Sequence, residues 1–577
     1  MNSRKIFAGL ACGAMALSMT ACGGSGDAKK GGDSNGGGTS GDTATLIVGN
    51  TQQLSGVFSP IYYQSSYDGW IVDLVYQSMG QYNENSELEP WLATEIPEMS
   101  EDGKTVTFKL KEGAKFSDGS DLTAQDVKFT FTLMADPSYD GRFVNNVDFI
   151  EGYSEYHDGD AKEVSGIEVV DDTTITFHLK DERIDALPTL ATQMIMSDTQ
   201  FEYTKGNLGG YKDNTDQPLG SNAYKLNTYE KATGASLVKN ENYTGEGEYK
   251  IPRVIYKTIA EAQEVNSLTS GDINYFPESI EADIIGPATM DENITFNEYF
   301  RAAEGFMGFN CGDGATADKA VRQALSYATP RQEFVNDYFK FKEGSEEVKK
   351  VPLGYVPDIY WNPVSSTLGK IVTGEEKLDG LTIYDYDLDK AKQVLDDAGW
   401  KPGADGIREK DGQRLEVKFL ASEGNSVLDS LLPKLIKSWG DIGVDLKQTT
   451  VDFNTLLSTV TPSTGDKTAW NCFFMATSYT GVSNSDSVMN LGAGDENNYS
   501  LLDNKELTEK LKAAQNTTDE AKSVELYKEC MLLENDEIPY LPIYGNHLFN
   551  LYAKNIKGME TGPVRCWAQA MDTAYIE

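Results

Sequence analysis

Histidine is scarce in this chain: His157, His178 and His547 are the only three among 577 residues. That supply is too thin for a histidine-rich metal site. H-E-x-x-H does not occur, the G-x-S-x-G match Gly32-Asp-Ser-Asn-Gly36 falls in a Gly/Ser-rich stretch with no strand-to-helix pattern around it, and there is no glycine-rich phosphate loop. Carboxylate pairs must exist among 90 acidic residues, but nothing in the sequence singles one out for acid–base work. Neither an enzyme nor a cofactor is expected. Cysteine is almost as sparse, at six residues. Cys12 and Cys22 sit near the N-terminus, while Cys311, Cys472, Cys530 and Cys566 are scattered through the body. With no C-x-x-C pair, zinc and redox dithiols are unsupported. Spacing does not choose a disulfide pairing, and four separate buried thiols are the expectation. Beyond the N-terminus, no stretch reaches the about 18 uninterrupted apolar residues that a membrane span needs. Positive charge is in deficit as well: 50 basic against 90 acidic residues leave a net charge of -40. Such a surface repels phosphate backbones, which excludes a nucleic-acid role.

The composition present is that of a globular protein, 39% hydrophobic and 10% aromatic, and the length predicts two or three lobes. The N-terminus reads as an address. Arg4 and Lys5 precede a short apolar run, 6–21, and then Met19-Thr20-Ala21-Cys22-Gly23 places small residues before a cysteine. This resembles a lipobox, with Met19 where Leu is usual, and implies lipidation of Cys22 after removal of a signal peptide, 1–21. Two or three acyl chains would anchor the chain stably. Residues 22–43 are rich in Gly, Ser, Asp and Lys, a flexible tether of the kind seen in Gram-positive lipoproteins.

The organising stretch is 91–136. Asp102-Gly103 is a tight-turn dipeptide, after which Val106, Phe108 and Leu110 alternate with Thr105, Thr107 and Lys109, a half-buried strand. Glu112-Gly113 and Asp118-Gly119 turn the chain again. Thr123 then caps a helix, with Asp126 in its first turn and Val127, Thr130, Phe131 and Met134 on one face. Asp136-Pro137 stops it. This order resembles the signature of the family-5 extracellular solute-binding proteins, the peptide- and nickel-type receptors of ATP-driven importers. Their pattern W-x-S-x-D-G-x-x-x-T-F-x-L-R-x-G-v-k-F-x-D-G-x-x-x-T-A-x-D-V is followed closely, with Lys111 replacing Arg.

Further along, 44–50 predicts the first strand, 70–79 a helix, and 164–179 a second hairpin. Pro218 to Leu226 resembles the family's P-x-G-T-G-P-Y-K-L, with Ser221-Asn222-Ala223 in place of Thr-Gly-Pro. The residues 304–310 resemble a first crossover between lobes, 318–328 predicts a helix, and 537–544 resembles the return crossover. Asp385, Asp387 and Asp389 have the 1, 3, 5 spacing of a calcium loop. Lys390 stands where such a loop needs Gly, however, and Asp396 where it needs Glu. Asp387 is instead expected to cap a helix ending at Gly399.

The resemblance implies an α/β, two-lobed, periplasmic-binding-protein-like fold of type II, with an extra subdomain in the first lobe. The boundaries it implies are 44–304 for the first lobe, with the extra subdomain at about 60–200, then 305–543 for the second, and 544–577 returning to the first. It further implies a lipid-anchored receptor, monomeric and extracytoplasmic, that captures peptides between its lobes and delivers them to permease subunits. The site residues it implies are Gly56, Val57 and Phe58 after the first strand, Trp470, Thr477, Ser478 and Tyr479 around a later strand, and Tyr544 and Asn546 on the return. In peptide receptors of this family an Asp in G-W-x-x-D-Y-x-D-P pairs with the peptide's ammonium. The matching region, 470–486, lacks that Asp in register, and Asp486 fills the role only with a two-residue insertion. Otherwise the ligand has no free amine, as in an N-blocked peptide or an oligosaccharide. Nickel is disfavoured by the single histidine of the C-terminal half, His547, and a secreted hydrolase is the rival outside binding.

Overall fold

The computed structural model of the chain describes residues 44–365, 367–463, 465–479, 481, 492–494 and 498–577, with residue 454 described by its backbone alone. The strand Thr105–Lys109 pairs antiparallel with Thr174–His178, which in turn pairs with Ile167–Asp171. Val106 and Phe108 point into the core, while Thr107 and Lys109 are exposed, the alternation a one-sided sheet requires. The helix Ala124–Met134 follows. Gln125 N–H donates to Thr123 Oγ1 at 3.2 Å, and Thr123 N–H donates to the Asp126 carboxylate at 2.8 Å, a reciprocal capping box. Val127, Thr130, Phe131 and Met134 are all fully buried. This three-stranded sheet and the helix packed on it form one local unit. Its apolar residues belong to the same continuous core as the strand Thr45–Asn50.

Among the described residues, eleven strands make one larger sheet. In the first lobe Thr45–Asn50 lies parallel to both Arg253–Thr258 and Tyr275–Ser279. In the second, Glu416–Ser422 lies parallel to Asp445–Val451 and Cys472–Ser478. Two long antiparallel strands join these halves: Ile294–Phe309 and Tyr540–Ala553, paired from Ile294↔Ala553 to Gly308↔Tyr540. Sixteen residues at a rise of about 3.3 Å each span about 50 Å, enough to traverse both lobes. The pairing register shifts between Phe300 and Glu304 and again between Gly305 and Phe306. Such irregularities bend a sheet and increase its local twist.

Successive side chains of the crossing strands serve opposite faces. Met307, Phe309, Leu541 and Ile543 enter one core, whereas Phe306 and Tyr540 enter another. The first-lobe core is separate and is completed by Ile556, Met559, Trp567, Ala568, Met571 and Ala574 near the C-terminus. The fold is therefore the two-lobed α/β architecture expected, with the chain crossing out and back.

Several boundaries differ from the sequence pattern. The helix expected at 70–79 is Ser66–Val75, because Asp68 N–H donates to the Ser65 hydroxyl at 3.2 Å and fixes an earlier start. Both crossovers are much longer than the short strands expected at 304–310 and 537–544. Asp387 caps Leu388–Asp397, its carboxylate accepting from Asp389 and Lys390 N–H at 3.0 and 2.9 Å. No cluster of three or more metal-ligating side chains occurs among the described residues. Cys311, Cys472, Cys530 and Cys566 are free thiols. No helix among the described residues is long and apolar enough to cross a membrane.

Candidate functional site: a cleft at the crossing strands

Two cavities adjoin where the lobes face each other. The larger, of about 780 Å3, has Glu298, Tyr299, Phe300 and His547 of the crossing strands at its base. The turn Asn85–Glu87 of the first lobe and residues 363–365 and 369–375 of the second form its sides. This volume lies within the range of about 300–1,000 Å3 usual for ligand pockets. The smaller, of about 240 Å3, is lined mainly by the first lobe, with Gly481 reaching it from the second. The two abut along common segments: Tyr82 and Val564 border the smaller, Asn85 and Pro563 the larger. Asn362 Nδ2 donates to Gly481 O at 2.9 Å, holding the chain between them.

Beside the smaller cavity the lobes touch. Ile184 N–H donates to Gln515 O at 3.0 Å, Gln515 Nε2 to Asp185 at 3.4 Å, and Thr518 Oγ1 to Glu182 at 3.3 Å. These contacts describe a cleft shut at one rim.

Polar groups converge on both compartments. In the larger, His547 is 6% exposed; its Nδ1 contacts Glu298, its ring packs 4.1 Å from that of Phe300, and Nε2 has no partner among the described residues. Ser365 Oγ is likewise buried without a partner among them. In the smaller, Asp73 is set by the helix Ser66–Val75, and Cys566 Sγ–H donates to its carboxylate at 3.2 Å. Burial pushes the Asp73 carboxyl up to about 6, the thiol contact opposing. Glu278 stands close by, pushed up to about 7 by burial, with Arg301 opposing and Asp73 adding to the rise. Burial likewise lifts Glu304 on the crossing strand well above the carboxylate range; its neighbour Glu534 adds to the rise, and the Trp361 N–H and Arg331 oppose it.

The residues singled out from sequence fall into three groups. Gly56, Val57 and Phe58 are held in the first lobe, where Gly56 N–H donates to Asp68 at 3.2 Å and the Phe58 ring packs edge-on to Tyr229. They line neither cavity. Trp470 is fully buried against Phe473, while Thr477 and Ser478 end the strand that pairs with Glu304 and Ala303. Tyr479 N–H donates to Ala302 O, near the crossing strands. Tyr544 is buried in the return strand, and Asn546, also buried, pairs with Gly354 and adjoins His547. Asp486 and Cys22 lie outside the described residues. The cavity-lining Asp73, Glu298 and His547 were not anticipated. A usable signal for Asp73 was its isolation as the one acid in Trp70-Ile-Val-Asp-Leu-Val-Tyr76.

Residues 87–500 match the family model of bacterial extracellular solute-binding proteins, family 5 Middle. The chain belongs to this family. Family 5 comprises substrate-binding proteins of importers rather than enzymes, and a cleft between two lobes is the feature such a protein needs. Among its relatives, the oligopeptide-binding protein AppA of Bacillus subtilis is 25% identical over 528 residues, covering 90% of this chain and 89% of that one. The dipeptide-binding protein of Escherichia coli is 25% identical over 500 residues, covering 83% and 85%. Among solved structures, AppA of Bacillus subtilis in complex with a nonapeptide superposes with a TM-score of 0.72 at 22% identity, over 92% of this chain and 99% of that one. Lactococcal OppA, complexed with an endogenous peptide in the closed conformation, gives 0.75 at 19%, over 92% and 100%. The fold of this family-5 chain is thus shared across nearly its whole length.

Proposed function

We propose that this chain is the extracytoplasmic receptor of an ATP-driven importer, capturing peptides between its lobes and releasing them unchanged to the permease. The observation that carries the reading is the two-compartment cleft at the crossing strands, with buried polar groups facing in and lobe-to-lobe hydrogen bonds at its rim. Relatives named for oligopeptide and dipeptide binding support peptides as the ligand class. Capture here requires binding and closure only. No bond of the guest is broken, and the chain is read as a non-enzyme and a monomer. Cys22 is read as the lipid-bearing residue, tethering the body to the outer face of a Gram-positive membrane through 23–43.

A thermal-shift screen with pooled peptides of two to six residues beside oligosaccharides tests the ligand class. Peptide pools are expected to raise the melting temperature and oligosaccharides to leave it unchanged. A shift with the sugars alone would replace this reading by that of a saccharide receptor. Cys22→Ser should move the protein from the membrane fraction to the medium. Retention at the membrane would sink the anchor.

A further inference from the structure

The larger compartment offers acceptors that lack donors. At its base Glu298 and His547 are diagonal neighbours on the two crossing strands, Glu298 pairing with Phe549 and Phe300 with His547. A carboxylate only accepts, so the Nδ1 beside Glu298 carries the ring proton. Nε2 of the neutral ring is then left with a lone pair that no described donor meets. Ser365 is 6% exposed, as His547 is, and its hydroxyl is unpartnered among the described residues on the second-lobe side of the same cavity. Phe300, by contrast, keeps 38% of its surface open there. Its ring meets those of Tyr355, at 5.6 Å, and His547, and none of the described Lys or Arg side chains stacks on it. The charge around these groups is lopsided. Glu87 of the first lobe and Glu375 of the second stand at the sides, and their described partners are neutral: Asn83 Nδ2 donates to one at 3.3 Å and Thr373 Oγ1 to the other at 3.2 Å. With Glu298, three carboxylates line the cavity against the single ammonium of Lys370.

A buried lone pair, a buried hydroxyl, an open aromatic face and a surplus of carboxylates suit one kind of group: flat, cationic and composed of donors alone. A guanidinium has five N–H donors in a plane and no acceptor, and it stacks on aromatic rings. An ammonium has no plane to lay on Phe300, and a carboxylate would bring a fourth negative charge and only acceptors. We propose that the larger compartment is a guanidinium pocket. In it His547 Nε2 and Ser365 Oγ accept from the N–H groups, Phe300 stacks on their plane, and Glu87 and Glu375 supply counter-charge from the two lobes. Resting on the peptide reading, this names the guest as a peptide that carries an arginine side chain. Because Glu87 and Glu375 belong to different lobes, a cation held between them would also draw the lobes together.

The test uses the full-length protein and equilibrium dialysis against three pentapeptide pools of otherwise neutral residues, alike except that each peptide carries one arginine, one citrulline or one norleucine. Butylguanidine is the fourth probe, a guanidinium that is not a peptide. The wild type should retain the arginine pool about tenfold or more over each of the others. Replacing the two exposed acids together, Glu87→Gln with Glu375→Gln, should cut that preference to about threefold, and His547→Phe should bring the pools within about twofold. Equal uptake of the three pools by the wild type overturns the guanidinium pocket while leaving peptide binding intact, even if His547→Phe fails to fold. Citrulline retained as well as arginine overturns it too, since a neutral group then suffices. A wild-type preference persisting in the Glu87→Gln, Glu375→Gln protein overturns the assignment to this cavity. Butylguanidine bound without any pool upholds the pocket and removes the peptide reading. No uptake of any probe overturns both.

Discussion

Glu278 and Asp73 are acids that folding makes harder to ionise. Each has a folded-state pKa above its unfolded value, at about 7 and about 6 against ordinary values of 4.5 and 3.8. The folded protein therefore holds more protons than the unfolded chain across that window. The stabilisation from these groups is fully present below the unfolded values and is lost as the pH rises through about 6 to 7. Glu278→Gln should remove part of this dependence. It is expected to stabilise the empty protein by about 1–3 kcal/mol at pH 8, with the difference shrinking toward pH 4. Urea denaturation of both proteins at the two pH values measures it, and an equal difference at both would sink the argument. At this scale the sequence is a poor guide. Asp73, Glu278, Glu298 and His547 come from separate segments, and only the packed chain brings them to one cleft.

Elements were far more legible, where their signals are local. Thr123 with Asp126, and Asp387 with its following N–H groups, mark helix starts within three residues of chain. The crossing strands escaped because their pattern is mixed. The stretch Asn297-Glu-Tyr-Phe-Arg301 carries polar groups that line the cleft, so its strand character comes from tertiary pairing rather than from alternation. These strands also depend on close approach. A Cβ at Gly545 would meet the Tyr355 ring at 2.3 Å, and one at Gly305 the Tyr544 ring at 2.2 Å. Gly545→Ala should therefore cost about 1–3 kcal/mol by overpacking. Thermal unfolding monitored by far-UV circular dichroism would show it, and an unchanged midpoint would mean that Tyr355 swings away freely.

For the molecule as a whole, the quantity of interest is the balance between open and shut cleft. Gln515 and Thr518 of the second lobe hold Asp185 and Glu182 of the first, each contact of the kind worth about 0.5–1.5 kcal/mol. Replacing both by Ala should shift the empty protein toward the open form by about tenfold. Small-angle scattering is expected to report a larger radius of gyration for the empty variant, with the wild-type value regained on peptide addition. Identical scattering from both empty proteins would mean that the rim contacts do not hold the lobes. The two-lobed class itself was legible through the signature at 91–136 and its neighbours, since that resemblance reports a shared scaffold. Which groups line the cleft was not, because they come from segments far apart in the chain.

The first-lobe core closes only when residues from Ile556 to Ala574 join a body whose first strand begins at Thr45. During synthesis, then, neither half of the molecule can be finished before the residues past 540 have been made. On the proposed extracytoplasmic address, this order would leave the growing polypeptide loose enough to thread a translocation channel, with the first-lobe core closing once residues 556–574 have emerged on the far side.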